Sequence, residues 1–224
     1  MKKIHNNHEP ILGLEQKYCN MLLKKSSELK EFYSQALQHP LCLHKEEITK
    51  AIILRLKTYY ETHDRAAKFL NKRTIAPLPD FFVETVGFFL KLFLEQLNSP
   101  LEVHSERPLR QKRGSLRPDI SIWNGGKVVA IIECKTNLGF ARNDWEETFA
   151  KREQKLKRIS PTAKAFLLVL TSINWSGFSK TDERVGKQFF CLCNEGMRNI
   201  KDRPIDEVIE NKIEHMFAQI IEQN

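Results

Sequence analysis

Asp119, Glu133 and Lys135 are the side chains of this 224-residue sequence best suited by type and spacing to do chemistry. They stand in Arg117-Pro118-Asp119 and, across a short predicted hairpin, in Glu133-Cys134-Lys135. Alternate residues of a strand share a face. In KVVAIIECKT, Val129, Ile131, Glu133 and Lys135 therefore point one way, and Ala130, Ile132 and Cys134 the other. In RPDISIW, Asp119, Ser121 and Trp123 share a face. Pairing these strands through Asn124-Gly125-Gly126 brings Asp119 close to Glu133. Carboxylates that close repel, and one tends to protonate unless a cation lies between them. Mg2+ suits the place, because it takes oxygen ligands, often one or two carboxylates, and keeps several waters. The backbone carbonyl of Cys134 offers a further oxygen, and Mn2+ is expected to substitute. Such a metal acidifies its water and neutralises charge on a phosphate oxygen, which is the chemistry of phosphodiester hydrolysis. Lys135 beside it would orient the water, favour hydroxide or pair with the phosphate.

The elements that must position these groups are readable from periodicity. Apolar residues at helical spacing predict helices over 11–38, ended by His39-Pro40, and over 45–71. Ile75 to Pro79 breaks the chain, and Asp80 is expected to cap a third, central helix to about Asn98. Strands are predicted at Leu101–Glu106, Leu116–Trp123 and Lys127–Thr136, the last two joined by a Gly-rich hairpin turn. A helix over 143–158 follows, opened by an Asn143/Glu146 capping box. The apolar runs Ala165–Leu170 and Phe189–Cys193 read as interior strands. A final helix is expected from Asp202-Arg203-Pro204, burying Ile205, Val208, Ile209, Ile213, Met216, Phe217 and Ile220. Trp123, Trp145 and Trp175 are each read as packing residues.

Composition narrows the class. With 41% apolar residues the chain can bury a core, and 29% charged residues is ordinary globular usage. Residues 107–117 carry five cations and no acid, and residues 151–158 five cations and one acid. These two segments hold +9 of formal charge against +8 for the whole chain, so everything else nets −1. Basicity this local favours a polyanion-binding surface. Five cysteines without a CxxC pair argue against a disulfide framework or a zinc site, and the histidines form no HxH or HExxH pattern. MKKIHNNHEP lacks the apolar core of a signal peptide, and Phe81 to Leu94 is too short and too interrupted to span a bilayer. A cytoplasmic protein with reduced thiols and no membrane partner is expected.

Pro118-Asp119 with Glu133-Cys134-Lys135 resembles the signature of the PD-(D/E)XK nuclease superfamily, which includes type II restriction endonucleases, repair nucleases and junction resolvases. The resemblance covers roughly residues 80–195. It implies an α/β fold, a restriction-endonuclease-like mixed central β-sheet flanked by helices, here with an N-terminal helical elaboration. It also implies a magnesium-dependent site in which Asp119 and Glu133 hold metal and Lys135 assists the nucleophile. A further acid on an upstream helix is common in the family, and Glu84 in FFVETVGFFL matches that placement. Set among phenylalanines, Glu84 needs a metal or a basic neighbour, or else snorkels at the helix edge. Lys91, two turns on, shares about the same face.

The expected organisation is an N-terminal helical region, 1–78, for DNA contact or dimerisation, and a nuclease-like core with a C-terminal helix, 79–224. Arg107, Arg110, Lys112, Arg113 and Arg117, with Lys151, Arg152 and Lys155, are the candidate DNA contacts. Lys157 and Arg158 extend the second group. Gln154 and Asn137 are candidate accessory residues. The expected activity is that of a Mg2+-dependent endodeoxyribonuclease of restriction type, and cutting both strands with one site per chain calls for a homodimer. The alternatives are a structure-specific repair or junction nuclease, and a nucleic-acid-binding module on the same fold without turnover.

Overall fold

A computed structural model describes residues 11–73, 78–139, 144–173, 175, 177–179, 181–200 and 202–222. The Asn143 half of the expected capping box and most of the expected 75–79 break lie outside the described residues. Two compact units are present, Met1–Pro40 and Leu41–Asn224. The first holds helix α1 (Ile11–Ala36), which stops just ahead of His39-Pro40, as proline requires.

In the second unit, α2 (Glu47–Phe69) and α3 (Leu78–Gln96) precede a five-stranded sheet in the order β1-β2-β3-β4-β5. α2 thus belongs with the sheet, held there by Ile48, Ile52, Ile53 and Leu56, all fully buried. α3 begins at Leu78, so Asp80 sits in the first helical turn, where its charge meets the positive helix end, and is not the cap.

β1 (Leu101–Ser105), β2 (Ile120–Asn124) and β3 (Lys127–Lys135) form an antiparallel meander, and β4 (Lys164–Thr171) and β5 (Phe189–Cys193) extend it in parallel. The fold is therefore α/β with a mixed sheet flanked by helices. β2 starts four residues later than its pattern suggests, because Pro118 has no N–H for a ladder. Gly125 and Gly126 turn the hairpin at φ of 52° and 83°, which glycine adopts without strain. A bulge between Ile122 and Trp123 brings Val128 opposite Trp123, so Val128 enters that face and Val129 is only half buried.

α4 (Trp145–Lys157) packs Phe149 and Leu156 on the sheet face carrying Trp123, Ile131, Leu167 and Phe189. α2, α3 and α6 (Ile213–Ile221) pack against one another and reach β1, β3 and β5, with Phe93 of α3 meeting Phe217 of α6 at 5.7 Å between ring centroids. A short α5 (Met197–Ile200) precedes the C-terminal segment. That segment is not one helix from 202. Residues Ile205–Glu207 form a single 3-10 turn, and 208–211 then run along the edge of β5. The Glu210 amide donates to the Leu192 carbonyl at 2.9 Å and the Asn211 amide to Cys191 at 2.8 Å. The apolar spacing of Ile205, Val208 and Ile209 imitates a helix, but an uncovered sheet edge is the stronger claimant.

One buried carboxylate ties the ends of this unit together. Glu214, fully buried on α6, accepts from the Ile48 and Thr49 amides at 2.8 and 2.9 Å and from the Thr49 hydroxyl. It caps α2 from a distant helix, and the helix dipole favours its charge. Glu214→Ala is expected to destabilise the protein by about 3 kcal/mol, since several charge-assisted bonds vanish and two buried amides are orphaned. Urea unfolding checks this; a loss under about 1 kcal/mol contradicts it.

Candidate active site

Register does the first part of the positioning. Ile120 pairs with Ile132, so one step further along the meander sets Asp119 opposite Glu133. Asp119 stands just ahead of β2, and its own carbonyl accepts from the Glu106 amide at 3.2 Å. Its Oδ2 accepts from the Cys134 amide at 2.7 Å and from Lys135 Nζ at 3.3 Å. The Lys135 ammonium also donates to the Cys134 carbonyl at 3.0 Å. It therefore lies between a carboxylate and a carbonyl and retains a third N–H for another acceptor. Cys134 itself is buried, and burial holds its thiol well above the usual range.

Glu133 is the electrostatically costly member. Its side chain is 2% exposed, and among the described residues neither carboxylate oxygen has a hydrogen-bond partner. Its one close charge is Arg152 on α4, with Nη1 3.2 Å from Oε1 in a geometry that makes an ion pair but no hydrogen bond. Burial pushes the Glu133 carboxyl up to about 7; Arg152 opposes this, the Asp119 charge adds to it and Lys135 opposes it. Arg152 also donates to the Arg117 carbonyl at 3.4 Å, linking α4 to the loop before Asp119.

Two clefts meet at Lys135, which lines both. The larger, about 720 Å³, holds Asp119, Glu84, Asp80 and Glu106 along with the Cys134–Gly139 segment. The smaller, about 480 Å³, holds Glu133, Arg152, Trp145 and Phe149. Asn137 lines both. Glu84 reaches the cleft but is exposed, not buried among phenylalanines. The helix turns Phe82, Val86 and Phe89 inward and leaves Glu84 outward. Lys91 does not approach: it pairs with Glu95 at 3.6 Å and lines a separate cleft beside β1.

The basic segments are brought into contact with each other. Arg110 donates to the Arg158 carbonyl at 3.3 Å, and Arg152 to that of Arg117. Lys112, Arg113, Arg117, Lys155 and Lys157 are exposed, and Lys151 pairs with Glu147 at 2.5 Å. Arg107 is set apart, stacked 4.0 Å over Trp123 and bonded to His104 at 2.7 Å. Gln154 is exposed and lines neither cleft. Trp123, Trp145 and Trp175 all pack in or against the α4-side core.

No protein-family model matches this chain, and no curated protein matches it. Its chemistry must therefore be read from the site alone.

Among the described residues, no group of three or more His, Cys, Asp or Glu side chains is gathered to hold a metal ion. Magnesium asks for less: one or two carboxylates, with water completing the shell. The two unpartnered oxygens of Glu133, the Asp119 carboxylate and the Cys134 carbonyl fit that requirement, and a hard cation would relieve the Glu133 burial cost. Asp80 and Glu106 were not singled out as site residues by the sequence, and Arg152, expected as a DNA contact, meets Glu133 instead. Only the helical offset of Arg152 from Phe149 and Leu156 hints that it faces the sheet. Among the described residues no helix is long and apolar enough to cross a membrane.

Proposed function

We propose that the protein is a magnesium-dependent endodeoxyribonuclease with a PD-(D/E)XK-type site, hydrolysing DNA phosphodiester bonds. The observation that carries this reading is Glu133, a buried carboxylate with two unpartnered oxygens beside the Asp119–Lys135 pair. Asp119, Glu133 and the Cys134 carbonyl would hold the metal. When bound, magnesium supplies Lewis-acid neutralisation of phosphate charge and a more acidic water. The remaining work belongs to the chain. Lys135 directs its third N–H at the attacking water or a phosphate oxygen, and Asp119 fixes the ammonium for that task. Arg117, Lys112 and Arg113 offer guanidinium and ammonium groups to the flanking phosphates. A restriction-type enzyme acting as a cytoplasmic homodimer is the form that cuts both strands with one such site per chain.

The test is incubation of purified protein with plasmid DNA, with and without magnesium or manganese, and mapping of any ends. Metal-dependent cleavage with discrete ends is expected; an uncut broad panel of DNA and RNA rejects the active-enzyme reading.

A second reading has its own support. Arg152 already faces Glu133, and Lys135 already faces Asp119, so the protein's own cations meet both acids. A DNA-binding module without turnover would keep that arrangement. Calorimetric titration separates the two, because only the enzyme takes up magnesium.

A further inference from the structure

The C-terminal tip of α2 presents a feature that packing does not explain. Phe69 is 86% exposed, with Leu70 beside it 59% exposed. Residues 65–73 carry four cations, Arg65, Lys68, Lys72 and Arg73, of which Lys68 pairs with Asp64 just before them at 2.6 Å. All four are exposed. The tip is nevertheless rigidly closed. Asn71 adopts φ of 51°, the Lys72 amide donates to the Ala67 carbonyl at 2.8 Å, and the Leu70 amide donates to Ala66 at 3.0 Å. This is the left-handed end that finishes a helix cleanly. Cations near a helix C-terminus complement its dipole. The dipole gives no reason to hold a phenylalanine ring in water.

An exposed aromatic ring flanked by cations matches the chemistry of a single nucleic-acid strand, whose bases stack on the ring while its phosphates meet the cations. The position suits the cleft as well. Tyr59 of α2 stacks on Phe81 at 4.0 Å between centroids, in the same part of α3 that lines the large cleft with Asp80 and Glu84. Phe69 lies ten residues beyond Tyr59, about 15 Å along the helix. A strand leaving the cleft covers that distance in a few nucleotides.

We infer that the α2 tip is a strand-binding element in which Phe69 stacks on an unpaired base and Lys72 and Arg73 hold the adjacent phosphates. The inference rests on the nuclease reading and adds its substrate class: DNA with a single-stranded or displaced segment next to the cut. The test measures binding of fluorescent blunt duplex, and of the same duplex with a short single-stranded tail, in buffer containing chelator. Wild-type protein should prefer the tailed DNA. Phe69→Ala should weaken tailed-DNA binding about tenfold and erase the preference, and Phe69→Trp should retain it. The pair Lys72→Glu and Arg73→Glu should lower the salt dependence by about 0.7 per lost single-strand phosphate contact. An unchanged preference in Phe69→Ala overturns the inference while leaving the nuclease reading intact. So does a changed oligomeric state of Phe69→Ala in sedimentation with DNA affinity unaltered, which reassigns the ring to a protein contact. If wild-type protein binds neither DNA at low salt, the nuclease reading itself falls.

Discussion

Asp119→Asn is expected to lower magnesium-dependent DNA cleavage by about a thousandfold, the scale on which loss of a catalytic charge or proton-handling group is felt. Asparagine can still accept from the Cys134 amide, which now meets Oδ2 at 2.7 Å, so the loop should keep its place. What disappears is the negative charge that holds Lys135 and that would hold the proposed metal. Lys135→Met keeps the aliphatic stem and removes the donor, and should cost a similar factor. The double variant should be scarcely worse than either single one, because groups that act as a unit are not additive. Metal-free DNA affinity should change by less than about threefold, since the proposed phosphate contacts belong to the basic segments. Single-turnover cleavage with matched binding curves is the measurement. Cleavage by Asp119→Asn within about tenfold of wild type would remove Asp119 from the chemistry.

The second large effect concerns stability. Glu133→Gln should stabilise the metal-free protein at pH 8 and do nearly nothing below pH 4.5. Glu133 titrates near its ordinary 4.5 when unfolded and at about 7 when folded. Between those values the folded protein holds a proton that the unfolded chain has released, so stability from this group falls as pH rises through the window. Above pH 7 the full loss is present, roughly 3 kcal/mol for a shift of this size in a buried group. Glutamine is uncharged at every pH and escapes it. Urea midpoints of wild type and variant at pH 4.5, 6 and 8 should diverge progressively. Magnesium should narrow the gap at pH 8 by stabilising the wild type alone. A difference that stays flat with pH contradicts the burial cost assigned to Glu133.

The meander that carries Asp119, Glu133 and Lys135 was legible because strand alternation has a period of two and the Gly-Gly turn sets the register. The apolar run of β4 was readable as an interior strand; β5, read the same way, is buried throughout but is the last strand of the sheet, its edge met by 208–211. Elsewhere tertiary structure decides. Ile205, Val208 and Ile209 follow helical spacing but cover the edge of β5, a competition no local pattern reports. The apolar sequence neighbours of Glu84 leave open a buried, partnered place or the helix edge, and helix rotation decides for an exposed place facing the cleft. Arg152, expected as a DNA contact, turns to Glu133 for a related reason: their meeting depends on how α4 docks. The N-terminal helical region expected over 1–78 is divided by the structure, with α2 built into the sheet-bearing unit.

The Glu214 cap also bears on how the molecule is made. Its partners, Ile48 and Thr49, precede it by 166 and 165 positions. On a translating ribosome, the start of α2 waits with uncapped amides until nearly the whole unit has been synthesised. Long-range closures of this kind slow the approach to the native state and leave apolar surface open meanwhile. Nascent chains arrested before residue 214 should be protease-sensitive across 47–69 and gain protection once Glu214 emerges. The start of α2 is thus closed by a single carboxylate made long after it.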